Sequence, residues 1–156
     1  MASNGLHTNG YSLARKVLFD TMGLGLDAKL PGLTKPLGEE LLRVHTNYQP
    51  VVAQLALGVV KGMAHITGGG LVDNLPRVLP KDCDAVIDRA SWKVPRLFEI
   101  IREGGRVDAD EMYQVFNMGI GMVLIVREKD AASVMRSVKG KVIGRIAAGS
   151  GVVKLA

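Results

Sequence analysis

The chain has 156 residues, of which 47% are hydrophobic and 22% charged, a balance typical of a folded globular domain. No stretch approaches the ~18 consecutive apolar residues that a membrane span requires, and no basic segment followed by an apolar one opens the chain. We therefore expect a single cytoplasmic domain that does not bind a membrane. Cys83 is the only cysteine, which excludes an intrachain disulfide and a thiolate metal cluster built from this chain.

The formal net charge of +5 is compatible with an anionic partner, either nucleic acid or a phosphorylated metabolite. The basic residues are scattered, however, and aromatic residues make up only 4% of the chain. Stacking platforms for single-stranded nucleic acid need exposed aromatic side chains. We therefore expect no nucleic-acid partner.

In the first half of the chain, Asn9 is a suitable N-cap for a helix that buries Leu13, Val17, Leu18 and Met22 and ends at Gly23 or Gly25. A loop and a short helix follow over residues 26–35 and 37–43. The apolar spacing from Pro50 to about Lys61 predicts another helix. A short buried strand is then predicted from Met63 to Thr67. It is followed by three glycines and by a short helix over residues 71–75.

In the second half, strands are predicted at residues 85–88, 122–126, 142–146 and 152–155, the second of them central in its sheet. Helices are predicted at residues 95–103, from Asp108 onward, where Glu111 completes a capping-box pattern, and around 131–138. The alternation is irregular and lacks a βαβ period. The sequence therefore predicts an α+β fold, with a mixed or antiparallel sheet covered by helices.

The segment Gly5-Leu6-His7-Thr8-Asn9-Gly10-Tyr11-Ser12 is the first candidate site, because it is rich in glycine and polar side chains and directly precedes a helix. The N–H groups at a helix N-terminus favour a phosphate or carboxylate. An unperturbed His7 would titrate near pH ~6.5 and could donate a hydrogen bond or a proton. The alternative is a plain capping turn in which a backbone carbonyl satisfies His7.

The second candidate is His65-Ile66-Thr67-Gly68-Gly69-Gly70, where successive glycines would let an anion approach the backbone. The Lys-Ser/Thr ending of a phosphate loop is absent, and a tight strand-to-helix turn is the alternative. His65 reads more readily as a buried strand histidine than as a ligand-binding one.

The third candidate joins a helix to a strand at Phe116-Asn117-Met118-Gly119-Ile120-Gly121-Met122, and a structural role is favoured there, with Asn117 and Gly119 as a helix C-cap. The aspartates at 73, 82, 84, 88 and 108 lie in separate loops without metal-ligand spacing, so we expect no metal site in this chain.

Together these three segments closely resemble the C-terminal domain of aminoimidazole ribonucleotide synthetase, the phosphoribosylformylglycinamidine cyclo-ligase family of purine biosynthesis. The resemblance covers nearly the whole chain. It rests on Ser3 to Leu13, on Ala64 to Leu71 with Asn74-Leu75-Pro76-Arg77-Val78-Leu79-Pro80, and on Glu111-Met112-Tyr113 with Phe116 to Met122.

The resemblance implies that residues 1–156 form the substrate-side domain of a homodimeric enzyme whose N-terminal ATP-binding domain is absent here. In the family reaction, ATP and Mg²⁺ activate the formyl oxygen of formylglycinamidine ribonucleotide, and ring closure releases it as phosphate. The matching positions suggest His7 as the catalytic residue and Asn9, Gly10, Thr67, Gly68, Gly69 and Gly70 as substrate or phosphate ligands, with His65 and Asn117 as further candidates. We expect the isolated chain to be inactive.

The chain departs from the family pattern at Thr46, where relatives usually have an arginine two residues before a tyrosine. Either the cationic contact is lost or His45 or Arg43 supplies it. Competing interpretations are another enzyme of the superfamily, such as formylglycinamidine synthetase, selenophosphate synthetase or thiamine monophosphate kinase, a basic RNA-binding module, or a non-catalytic structural domain.

Overall fold

Seven α-helices and five β-strands make up the fold in a computed structural model, which describes residues 1–156. The helices are α1 (Tyr11–Arg15), α2 (Leu37–Leu41), α3 (Gln49–Val52), α4 (Gly70–Asn74), α5 (Arg96–Gly105), α6 (Ala109–Val115) and α7 (Glu128–Val138). The strands are β1 (Val60–His65), β2 (Cys83–Ile87), β3 (Met122–Val126), β4 (Gly144–Ala148) and β5 (Val153–Leu155). The predicted α+β class with mixed and antiparallel strand pairing is confirmed.

The strands form two separate sheets, the first of which consists of β1 and β3 in antiparallel pairing. Its register places His65, the last residue of β1, opposite Met122, the first residue of β3. The loop that leaves β1 and the loop that enters β3 therefore lie at the same end of this sheet. Because β3 pairs with β1 alone, the prediction of a central strand is wrong.

The second sheet has the order β4-β2-β5, with β2 antiparallel to β4 and parallel to β5. The buried side chain of Asp84 accepts hydrogen bonds from the backbone N–H groups of Ser150 (2.7 Å) and Val152 (3.1 Å) and pairs with Lys154 (2.7 Å). The hydrogen bond from Lys154 and those from the two N–H groups lower the Asp84 pKa. Asp84 thus fixes the turn between β4 and β5.

Several helices contribute apolar side chains to the core, as the apolar spacing of α5 illustrates. This helix buries Leu97, Phe98, Ile100 and Ile101, and the Phe98 ring packs edge-on against Phe116, with ring centroids 5.7 Å apart. No helix in the structure is long and apolar enough to cross a membrane.

The predicted helix from Pro50 to Lys61 is wrong over most of its length. Only Gln49–Val52 is helical, Leu57 is fully exposed, and β1 already begins at Val60. Gly58, at φ 79°, has a left-handed backbone that interrupts a right-handed helix. The apolar residues in this segment do not bury a face, so their spacing alone did not make a stable helix.

The first helix also differs in detail from the prediction. Its N-cap is Gly10, at φ 75°, rather than Asn9, and no side chain caps it. After α1 the chain continues as a π-helix over Lys16–Thr21, which buries Val17 and Leu18 as predicted.

Candidate functional site

Three loops meet at the end of the β1–β3 sheet: the N-terminal loop (residues 3–10), the triple-glycine loop (residues 66–70) and the third loop (residues 116–121). An isolated antiparallel bridge joins Ala2 to Ile120. The N–H of Ile66 donates to the carbonyl of Gly121 at 2.9 Å, which ties the triple-glycine loop to the third loop. The three sequence-predicted segments are thus brought together in space.

Asn117 holds the N-terminal loop in place. Its amide Nδ2 donates to the carbonyls of Gly5 (2.9 Å) and Leu6 (3.2 Å), and its Oδ1 accepts from Ser3 Oγ (2.7 Å) and Gly119 N (2.8 Å). The side chain is buried and its polar atoms are occupied. Asn117 therefore has a structural role, which was the interpretation favoured from the sequence. It is not the helix C-cap, however, because that position is occupied by Phe116.

Asn74 organises the triple-glycine loop. Its Nδ2 donates to the carbonyls of Gly70 (2.7 Å), Gly68 (3.1 Å) and Thr67 (3.4 Å), and its Oδ1 accepts from Thr67 Oγ1 (3.1 Å). These carbonyls are therefore turned toward Asn74. The N–H groups of Thr67, Gly68 and Gly69 make no hydrogen bond within the chain. Sequence reasoning placed Asn74 in a motif but did not identify this role.

Asn9 lies against the triple-glycine loop, since a Cβ built on Gly68 would be 3.3 Å from Asn9 Oδ1. The Asn9 amide and the free N–H groups thus come from two loops that are distant in sequence. A carboxylate also lies nearby, because a Cβ on Gly69 would be 2.6 Å from Asp73 Oδ2. Most of the polar groups here suit an anion, while Asp73 limits the side from which an anion can approach.

Gly10 and Gly70 serve the packing of these loops. A Cβ on Gly10 would lie 2.2 Å from Phe116 Cε1, and a Cβ on Gly70 would lie 1.9 Å from the Tyr113 carbonyl oxygen. Both residues also have positive φ angles, 75° and 58°. The close approach of the loops to the end of α6 therefore requires glycine at both positions.

His7 is buried in the N-terminal loop with an unusual positive φ of 58°. Its Nε2 lies 2.9 Å from the side-chain oxygen of Asn4 rather than against a backbone carbonyl. Burial, together with the charges of the neighbouring His45 and His65, lowers the pKa of His7 to about 4. The ring is consequently neutral near pH 7, where it is suited to hydrogen bonding and not to acting as an acid.

His65 is on the strand β1, as predicted, but it is exposed and not buried. Its neighbours Ala64 and Ile66 point into the core, so the alternation of the chain turns His65 outward. Burial of part of the ring and the charge of His45 lower the His65 pKa.

The loop between α2 and α3 brings His45 and Tyr48 to His7. Sequence reasoning named His45 only as a possible replacement for the arginine missing at position 46 and did not place either residue beside His7. The His7 and His45 ring centroids are 3.9 Å apart, and Tyr48 donates from its hydroxyl to the Ala2 carbonyl at 2.7 Å. Burial raises the pKa of Tyr48 to about 12. Arg43, one suggested replacement for the arginine missing at position 46, is instead paired with Glu40 at 2.7 Å.

A groove of about 640 Å³ lies between β3, α7 and β4. Its lining is mostly hydrophobic and includes Val123, Val134 and Ile143. None of the predicted site residues lines it. An apolar groove has few groups that could bind a phosphate, so we place the candidate site at the three loops.

The two small sheets, the surrounding helices and the three converging loops define an α+β domain with a loop-built polar site. The model of the family described as "AIR synthase related protein, C-terminal domain" matches residues 1–155. The chain belongs to this family, which confirms the resemblance identified from the sequence.

Among curated relatives, the chain is 50% identical over 153 residues to a phosphoribosylformylglycinamidine cyclo-ligase of Citrifermentans bemidjiense, covering 94% of this chain and 44% of that protein. It is 48% identical over 158 residues to the protein of the same name from Bacillus pumilus, covering 97% of this chain and 46% of that protein. The chain thus spans less than half the length of these relatives.

Solved structures of low sequence identity share the fold. The hydrogenase maturation protein HypE of E. coli superposes with a TM-score of 0.58 at 21% identity, covering 99% of this chain and 45% of that one. Thiamine-monophosphate kinase from Stenotrophomonas maltophilia gives a TM-score of 0.59 at 14% identity, covering 99% of this chain and 48% of that one.

Proposed function

We propose that this chain is the substrate-side domain of a phosphoribosylformylglycinamidine cyclo-ligase, which closes the imidazole ring of aminoimidazole ribonucleotide from formylglycinamidine ribonucleotide. The relatives that carry this name are about half identical to the chain over nearly its whole length. Their shared name favours this activity over that of the other superfamily enzymes considered above.

The free N–H groups of Thr67, Gly68 and Gly69 are the observation that carries the proposal. Asn74 holds the carbonyls of the loop on one side, so these N–H groups are available to bind an anion such as the substrate phosphate or the phosphoryl group in transfer. Asn9 of the N-terminal loop lies beside this loop with its side-chain oxygen toward Gly68, so its NH2 is the group that could donate to an anion. We assign to the neutral His7 the role of fixing the N-terminal loop through its contact with Asn4 at 2.9 Å.

ATP and Mg²⁺ supply the activation of the formyl oxygen in the proposed reaction. Mg²⁺ prefers oxygen ligands in octahedral geometry, whereas the three loops offer mainly N–H groups, amides and imidazoles. Asp73 is the carboxylate that lies beside them. We therefore propose that ATP and Mg²⁺ are held mainly by an N-terminal domain, which closes over this one in a cytoplasmic homodimer.

The anion site is tested by titrating the chain with inorganic phosphate while following backbone amide shifts by NMR. We expect shifts at Asn9, Thr67, Gly68 and Gly69. Gly68→Ala should weaken phosphate binding by about tenfold, because its methyl group enters the space beside Asn9 and hinders hydrogen bonds to the anion.

Gly25→Ala is the matched control, because its Cβ would meet only the movable side chain of Asp27. This variant should bind phosphate like the unaltered chain. Shifts confined to other loops would show that the anion binds elsewhere.

The activity is tested by combining the chain with the N-terminal part of a full-length relative and measuring ATP-dependent formation of aminoimidazole ribonucleotide. We expect product only when both parts are present, and no release of ADP by the chain alone. Steady ADP release by the pure chain would contradict the proposal that ATP is bound mainly by the N-terminal domain.

A further inference from the structure

The three histidines of the chain, His7, His45 and His65, form one cluster beside the loops. One ring nitrogen of each lies within 4.8 Å of one ring nitrogen of each of the others. His45 Nε2 and His65 Nε2 are 3.1 Å apart. The three residues come from the N-terminal loop, the α2–α3 loop and the end of β1, so the tertiary fold alone brings all of the chain's imidazoles together.

Asn4 determines which nitrogen of His7 is available. The Asn4 Nδ2 donates to the Val44 carbonyl at 2.7 Å, which orients the amide and turns its oxygen toward His7 Nε2 at 2.9 Å. An amide oxygen only accepts, so we assign the proton of the neutral His7 ring to Nε2 on the basis of this shorter contact. The backbone N–H of Asn4 also donates to Nε2, in a longer hydrogen bond of 3.3 Å that the other tautomer would accept.

The other nitrogen of His7, Nδ1, therefore has a lone pair. It is buried and has no hydrogen-bond partner. A histidine that donates one ring N–H to an oxygen acceptor while its other nitrogen remains free has the arrangement found around metal-bound histidines. Neither His7, His45 nor His65 forms an ion pair with a carboxylate, so no acidic partner favours a protonated cluster.

We propose that His7, through Nδ1, together with His45 and His65 binds a divalent late-transition metal ion, with Zn²⁺ as its representative. Three neutral imidazoles are a preferred donor set for such ions and a poor one for Mg²⁺. Zn²⁺ binds imidazole nitrogen at about 2.0–2.1 Å, so tetrahedral ligands lie roughly 3.4 Å apart. The His45–His65 pair is already close to this spacing.

His65 is exposed and His45 is half-buried, so both rings have room to turn toward the buried His7 and shorten spacings that are at most 4.8 Å. Three protein ligands leave the fourth tetrahedral position open to water or a small anion on the exposed side. The proposal does not depend on the proposed cyclo-ligase activity, since it concerns only residues within this chain.

The test uses the untagged 156-residue chain, because an affinity tag of histidines would bind the same ions. Zn²⁺ titrated in competition with a chromogenic chelator should bind at one equivalent. Histidine ring C–H resonances followed by NMR should shift for all three residues on addition of one equivalent. Co²⁺ added in place of Zn²⁺ should give the intense visible bands of a tetrahedral site.

His45→Gln removes one ligand from a half-exposed position and should weaken Zn²⁺ binding by at least about tenfold. Asn47→Ala, in the same loop, and Cys83→Ser, which removes the only thiol, should bind Zn²⁺ like the unaltered chain. Thermal unfolding without metal reports whether each variant is folded. Zn²⁺ should raise the unfolding temperature of the two controls and not that of the His45 variant.

The ring resonances of the unaltered chain decide the question even if His45→Gln proves unstable. Absence of stoichiometric shifts at the three histidines would overturn the proposal. Unchanged Zn²⁺ affinity in His45→Gln, or loss of binding in Cys83→Ser, would do so as well.

Discussion

Three side-chain amides hold the loops of the candidate site in their observed shape. Asn117 fastens the N-terminal loop to the third loop, Asn74 gathers the carbonyls of the triple-glycine loop, and Asn4 orients the His7 ring. An amide carries both donors and acceptors on a short, uncharged side chain. Buried amides can therefore fix several backbone groups at once without placing a charge in the core.

His7 should make the stability of the chain dependent on pH. Its pKa is about 4 in the folded state, below the ordinary value of 6.5, so the unfolded chain binds more protons between these values. Its contribution is complete above about pH 6.5 and is lost as the pH falls toward about 4. We expect urea unfolding to show a loss of about 1–3 kcal/mol across this range from His7.

His7→Asn is the informative comparison, because asparagine tolerates the positive φ of this position better than other side chains. The variant should have a smaller decrease in unfolding free energy between about pH 7 and about pH 5 when measured with a chelator present. An equally steep decrease would show that the pH dependence arises elsewhere.

The sequence motifs located the loops but did not reveal every contact within them. Glycines and polar residues at 5–12 and 65–70 mark places where the backbone is free of bulky side chains, and this property is visible in sequence. His45 and Tyr48 flank the departure from the family pattern at Thr46, but their proximity to His7 is created only by tertiary packing. The reduced pKa of His7 follows from that proximity and from burial, so the sequence alone suggested an ordinary value.

At the scale of elements, the junction between α4 and α6 depends on the missing side chain of Gly70. Gly70→Ala would place a methyl carbon 1.9 Å from the Tyr113 carbonyl oxygen at a φ of 58°. We expect the free energy of unfolding to fall by about 3 kcal/mol or more, from combined steric overlap and backbone strain. Chemical denaturation measures this loss.

Gly58→Ala separates the two causes of that loss. Gly58 also has a positive φ, 79°, but nothing lies within 4 Å of the added carbon. This variant should lose only about 1 kcal/mol, the cost of the left-handed backbone for an ordinary residue. Equal losses in both variants would argue against a packing role for Gly70.

Two elements that bury apolar side chains were predicted at their observed places, whereas the clearest error falls on a segment that buries none. α5 and β3 were recognised because Leu97, Ile100 and Ile101 recur at helical spacing and Met122–Val126 is a short apolar run. Residues 53–59 have an apolar pattern that resembles a helix, yet Leu57 has no core to enter. Whether an apolar side chain packs against a core depends on the tertiary structure. The spacing of residues along the chain carries no information about that structure.

At the scale of the whole molecule, the division into two sheets could not be foreseen from strand positions. β2 pairs with β4 and β5, which lie about sixty residues later, and leaves β3 to β1 alone. Strand pairing depends on contacts between residues that are distant in sequence, and the local sequence pattern of each strand does not determine them. The α+β class was nevertheless evident, because an irregular succession of helices and strands excludes a regular parallel sheet.

The Asn117 amide joins residues that are 112 and 111 positions apart along the chain, at Gly5 and Leu6. Closing so long a segment is entropically costly and raises contact order, which slows folding. The two ends of this segment must therefore meet before the N-terminal loop can adopt its native shape. A nascent chain that has not yet emerged past residue 117 lacks that constraint, so the N-terminal loop can reach its native shape only after Asn117 has been synthesised.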